Sequence, residues 1–159
     1  MKKNKGFSLV ELIIVIAIMA ILAAAIAPAL IRYIDKSRKA DDVTAAGTVN
    51  SAMSSALANE DAYDEIMDKM DGTILATAEQ DKEFKANGVS APNFISELNA
   101  NVGGKAPKLK YKKKLEGTAT FTPKGWAVAA TNGKPIVYIT DGTTSNKVEV
   151  QPSIDKNYK

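Results

Sequence analysis

The chain has 159 residues with 21 Lys+Arg against 18 Asp+Glu, and neither His nor Cys. Those absences remove thiol nucleophiles, Cys/His zinc sites and imidazole bases. Lys2, Lys3 and Lys5 precede the long apolar run, and without them 18 basic residues face 18 acidic ones. The basic balance is therefore a leader effect, and a nucleic acid is not an expected partner.

Phe7 to Ile31 reads FSLVELIIVIAIMAILAAAIAPALI. As a helix it is about 37 Å long at 1.5 Å per residue, against a hydrocarbon core of about 30 Å. Basic residues flank both ends (Arg32, Lys36, Arg38 and Lys39 follow the run), so orientation cannot be read from charge. Ala25-Ile26-Ala27 is a possible signal-peptide cleavage site. Against it stand the length of the run, the apolar residues that continue after Pro28, and Glu11. A charge at mid-bilayer depth costs about 2.5–3.5 kcal/mol, so Glu11 calls for a partner that a plain anchor does not supply.

Arg32 to Met70 is helical in pattern. Ile34, Val43, Gly47, Asn50, Met53, Leu57, Ile66 and Met70 recur mostly at three- or four-residue steps. Asp35, Lys36, Arg38, Lys39, Asp41 and Asp42 make a mixed-sign solvated face. The pattern is weakest at Asn59-Glu60-Asp61, and Asp71-Gly72 is the expected stop. Residues 73–107 are expected to connect helix to sheet. They include a capping-box pattern at Thr77-Ala78-Glu79-Gln80, a stop at Asn87-Gly88, and a short helix after Pro92 that ends near Gly103-Gly104.

From Lys108 the period changes to two. Lys108–Lys112 alternates, and Thr118–Thr122, Trp126–Thr131, Ile136–Thr140 and Lys147–Val150 are strand-like. Turn residues between them, including Asn132-Gly133 and Asp141-Gly142, predict antiparallel hairpins. The fold class is α+β: a long N-terminal helix whose second half packs on an antiparallel sheet of about four strands.

Few residues beyond the apolar run suggest chemistry. Lys108, Lys110, Lys112, Lys113 and Lys114 form a possible basic surface patch, read first as a solvated strand face that blocks edge pairing. Asp141 to Asn146 offers oxygen ligands but lacks the acidic alternation of a calcium loop, so a hairpin turn is expected. Glu60, Asp61, Asp64 and Glu65 read as an exposed acidic face. Trp126 and Tyr138 read as strand residues packed on the core. No nucleotide-binding or hydrolase motif occurs. No catalytic residue, metal or cofactor is expected.

Gly6-Phe7-Ser8-Leu9-Val10-Glu11 resembles the processing site of type IV pilins, and the resemblance extends over about the first 38 residues. Pro28, Tyr33 and Ser37-Arg38 are in register with it, whereas Ala20 stands where many members have Gly. The resemblance implies cleavage after Gly6 by a prepilin peptidase, methylation of Phe7, a helix-bending Pro28, and pairing of Glu11 with the Phe7 amine of a neighbouring subunit. It implies a leader at 1–6, an apolar helix at 7–34 and a pilin head at 35–159. The implied life history is a single-pass stage in the cytoplasmic membrane, then a homopolymer at the cell surface built by an assembly ATPase and its membrane platform. A pseudopilin of a type II secretion or DNA-uptake system shares this N-terminal chemistry. A membrane-tethered binding head that never polymerises is a third reading, without cleavage after Gly6. Many pilins close a C-terminal loop with a disulfide. The absence of Cys here leaves that region to strand pairing and packing, and points to a Gram-positive source.

Overall fold

A computed structural model describes residues 6–115 and 120–158. The basic residues Lys2, Lys3 and Lys5 lie outside the described residues. The chain divides into two units, Met1–Lys36 and Ser37–Lys159.

Helix α1 runs Leu9–Leu57, 49 residues. In the first unit its surface is exposed from Phe7 to Ile34, and it is long and apolar enough to cross a membrane. The helix continues through Pro28, which has no N–H to offer the carbonyl of Ala24.

In the second unit α1 buries Asp42, Ala46, Val49, Ala52, Met53 and Ala56. This stripe recurs at helical spacing. It lies to one side of the stripe expected from the larger residues: Val43 and Leu57 are half-buried flanks, whereas alanines occupy the centre. An alanine face carries no bulk, so helix and sheet can approach closely.

The helix was expected to reach Met70 but ends at Leu57. Asn59 has extended backbone (φ −83°, ψ 125°) and its side chain caps the short helix α2, Glu60–Asp64. The Asn59 Oδ1 accepts from Ala62 N at 3.1 Å, so the weak point in the pattern is a true break.

The sheet has five strands: β1 Asp71–Glu79, β2 Lys85–Ala86, β3 Gly125–Thr131, β4 Lys134–Thr140 and β5 Lys147–Gln151. Their order is β2-β1-β3-β4-β5, and every pairing is antiparallel. β3, β4 and β5 fall where strand periodicity and turns placed them. β1 and β2 are corrections. Asp71-Gly72 opens a strand instead of closing a helix, and the capping-box residues Thr77–Glu79 pair with β3. Cross-strand pairing along a nine-residue strand outweighs a four-residue local pattern.

β3 and β4 meet in a two-residue turn. Asn132 (φ 51°) and Gly133 (φ 74°) both take positive φ, as a type I′ turn requires. Gly125 opens β3 against β1, where a Cβ would run into the Ala78 carbonyl. One sheet face contributes Trp126, Val128, Ala130, Val137 and Ile139 to the main core with α1. The other gathers Ile74, Ala127 and Ala129, flanked by Ile136 and Tyr138.

Helix α3, Pro92–Asn101, carries Pro at its start and ends before Gly103 (φ 83°) and Gly104 (φ 85°), as expected. It buries Phe94 and Leu98. Two alternating runs are not strands. Lys108–Lys112 has no regular secondary structure and no strand pairing. Of the expected Thr118–Thr122, residues 118 and 119 lie outside the described residues, and Phe121 makes a single bridge to Leu115.

Candidate functional site

The residues of the expected processing site gather at the start of α1. Gly6, Phe7 and Ser8 precede the helix, and Phe7 is 86% exposed. Leu12 N donates to Ser8 O at 3.2 Å, which makes Ser8 the N-cap residue. Ser8 N donates to Glu11 Oε2 at 2.8 Å. This is the return half of a capping box, in which the third helical residue reaches back to the cap backbone. Within one chain the Glu11 carboxylate therefore has a donor and faces the positive end of a helix. Ser8 was not expected to take part, although the S-x-x-E spacing of Ser8 and Glu11 signals it. Pro28 stands apart, about 26 Å further along at 1.5 Å per residue.

The lysine patch spans an irregular segment. Lys108, Lys110, Lys112, Lys113 and Lys114 are exposed, while Leu109, Tyr111 and Leu115 are buried between them. Lys108 lies 3.3 Å from Asp81 and Lys110 lies 3.5 Å from Asp41, so carboxylates interrupt the positive surface. The alternating burial is strand-like but the hydrogen bonds are not. Leu109 N donates to Gln80 Oε1 at 3.2 Å, and the next two N–H groups donate to Asp42.

Asp42 is the largest departure among the polar residues. It was expected on a solvated face but is fully buried. Its carboxylate accepts from Lys110 N at 2.6 Å, Tyr111 N at 3.0 Å and Tyr158 Oη at 2.5 Å. Three donors offset the cost of removing the group from water. Burial, and then the Asp42 carboxylate beside it, push the Tyr158 hydroxyl far above the ordinary tyrosine range. The position was readable: Asp42 is four residues before Ala46 and seven before Val49, on the inner stripe.

Glu65 also departs from its expected surface role. Its carboxylate accepts from Asn93 N at 3.2 Å and Phe94 N at 3.0 Å, and so caps α3 from a distant turn. Ala91, the local cap residue, offers no side-chain bond. Glu60, Asp61 and Asp64 are exposed as expected.

Asp141 organises the β4–β5 loop. It accepts from Thr143 N at 2.9 Å, Thr143 Oγ1 at 2.7 Å and Asn146 Nδ2 at 2.7 Å. Burial pushes this carboxyl up, but the Thr143 and Asn146 donors more than offset it and hold it below the usual range. Among the described residues no three His, Cys, Asp or Glu side chains group to hold a metal ion. Trp126 is fully buried, with Nε1 donating to Pro107 O at 2.8 Å.

The fold joins an exposed apolar helix that opens in a carboxylate to an α+β head, the architecture of a pilin-like protein. Residues 1–27 match the prokaryotic N-terminal methylation motif. Over 125 residues the chain is 33% identical to the type IV major fimbrial protein FimA of Dichelobacter nodosus, covering 70% of this chain and 78% of that protein. No solved structure matches. The chain belongs to the type IV pilin family: it is a structural pilus subunit and not an enzyme. The likeness thus extends well past the first 38 residues. The expectation of a Gram-positive source gains no support from these comparisons.

Proposed function

We propose that the chain is made as a prepilin, cut after Gly6 and methylated on Phe7, and that Glu11 sets subunit register in the pilus. The observation that carries this reading is the geometry at the start of α1. Glu11 is held in the first turn by Ser8, within a turn of Phe7, on a helix exposed as far as Ile34. Cleavage creates an α-amino group on Phe7 with a reference pKa of about 7.7–8.0, so it is largely cationic at neutral pH. In a membrane or a packed bundle, the Glu11 carboxylate of one protomer and the Phe7 amine of the next satisfy each other. Such a pair stabilises little against an apolar isostere but penalises every misaligned register.

On this reading residues 1–6 are the leader, 7–34 the apolar helix and 35–159 the head. Subunits wait in the cytoplasmic membrane as single-pass proteins and pass into an extracellular filament with their apolar helices bundled inside. A prepilin peptidase/methyltransferase, an assembly ATPase and its membrane platform serve that route. Pro28 removes one backbone bond from the helix and lets it bend there.

The decisive measurement is the mass and first residue of the mature protein from cells: a chain beginning at methylated Phe7 is expected, and any other start overturns the processing assignment. Separately, Glu11→Val should insert into the membrane in normal amount and yield no sheared filaments. Normal filaments from that variant would remove the register role.

A further inference from the structure

β5 stands at one end of the sheet order, with β4 on one side only. An edge strand left open is a template for another chain. Residues 152–158 return along this edge. Asp155 N donates to Glu149 O at 2.9 Å, taking up a backbone acceptor of β5. Ser153 donates to Glu149 Oε1 through N at 3.3 Å and Oγ at 2.5 Å. The segment then closes on itself, with Tyr158 N bonded to Asp155 O at 2.9 Å and Asn157 N to Asp155 Oδ1 at 2.8 Å.

Only a few local bonds hold such a strap, and short segments of this kind open readily. Two residues of α1 grip its far end. Asp42 accepts from Tyr158 Oη at 2.5 Å, across 116 positions of sequence. Lys39, three residues earlier and so on the same helix face, donates from Nζ to Asn157 O at 3.2 Å. The same ammonium lies 5.7 Å from the Tyr158 ring centroid and 5.1 Å from that of Tyr111, within cation–π range. Tyr158 is 1% exposed and meets Tyr111 edge to face at 6.1 Å. The chain has no disulfide with which to fasten this segment.

We propose that Lys39 and Asp42 form a two-point clasp that locks the strap 152–158 over the edge of β5, so that strap and edge open together as one unit when the clasp is released. The Asp42–Tyr158 bond is the main fastening because it is buried and charge-assisted, whereas Lys39 adds a more exposed second point.

Hydrogen exchange on the full chain in detergent micelles tests this with Tyr158→Phe, which removes one oxygen and keeps the ring, and with Lys39→Met. Loss of a bond to a charged acceptor predicts that amides of residues 147–158 exchange about ten-fold faster or more in Tyr158→Phe, with β3 amides near their wild-type rates. Lys39→Met should accelerate the same amides by a smaller factor. Adding Asp42→Asn to Tyr158→Phe should accelerate the strap amides by less than the product of the two single effects, because both remove the same bond. Ultraviolet titration gives a second readout: burial raises Tyr138 as well as Tyr158, so Tyr158→Phe should have one late-titrating tyrosine fewer than wild type. Unchanged strap rates in Tyr158→Phe would overturn the clasp, as would acceleration spread equally over β3. If Asp42→Asn does not fold, Tyr158→Phe and Lys39→Met decide the matter alone.

Discussion

Replacing Glu65 by Ala removes the side-chain cap seen on α3 among the described residues. Two N–H groups lose their acceptor: Asn93 N, at an exposed residue, and Phe94 N, in a part-buried position. The first can turn to water, whereas the second cannot do so without moving Phe94, a fully buried core side chain. Loss of an N-cap typically costs about 1 kcal/mol and at most about 2. Here the part-buried donor places the expected cost at about 1.5 kcal/mol, with a further loss of charge–dipole attraction inside that figure. For a chain of this size that corresponds to a fall of about 3–6 °C in melting temperature. Glu65→Gln keeps one acceptor oxygen and should lose about half as much. Glu60→Ala and Asp64→Ala are internal controls from the same acidic cluster, expected within about 0.5 kcal/mol of wild type. Trp126, the single tryptophan, is fully buried in the head, so its fluorescence reports head unfolding in detergent without interference from the apolar half of α1. If Glu65→Ala melts with the controls, α3 does not depend on this carboxylate and the capping argument fails.

Two further outcomes follow from the same structure. Gly125→Ala drives a Cβ into the Ala78 carbonyl of β1 and should cost more than about 4 kcal/mol by parting β1 from β3; wild-type resistance to proteolysis would refute this. The raised Tyr158 hydroxyl ties stability to alkaline pH. The unfolded chain releases this proton near pH 10 while the folded one keeps it, so the linked stability is complete below about pH 10 and is lost as pH rises above it. The Lys39 ammonium faces the same ring. Comparing the pH slope of denaturant midpoints in wild type and Tyr158→Phe isolates the tyrosine, and equal slopes would exclude the linkage.

The elements legible in the sequence are those whose signals are local and contrast with their surroundings. Asn132-Gly133 announces a hairpin because both positions need positive φ. Pro92 and Gly103-Gly104 bracket α3 because one suits a helix start and the other a helix end. β1 was hidden because Ile74, Leu75, Ala76 and Ala78 are all buried. A strand covered on both faces and paired on both edges loses the alternation by which strands are recognised. Lys108–Lys112 shows the converse error: its side chains alternate, yet its donors are taken by Asp42 and Gln80, which no sequence window places nearby. At the candidate site, the positions of Gly6, Phe7, Glu11 and Pro28 could be read directly, and Ser8 through its spacing from Glu11. The burial of Asp42 could be read only by weighing its helical phase above its charge.

The buried Asp42 carries a consequence for timing. Its carboxylate leaves the ribosome early, whereas the hydroxyl that completes its shell is made 116 residues later. Until then the carboxylate on the inner stripe of α1 lacks one of its three donors. The third bond to this carboxylate therefore waits on synthesis as far as Tyr158. A nascent chain halted before that point would carry a helix and most of a sheet without the last bond that seals them. Closing a loop of that length comes before the contact can reward it.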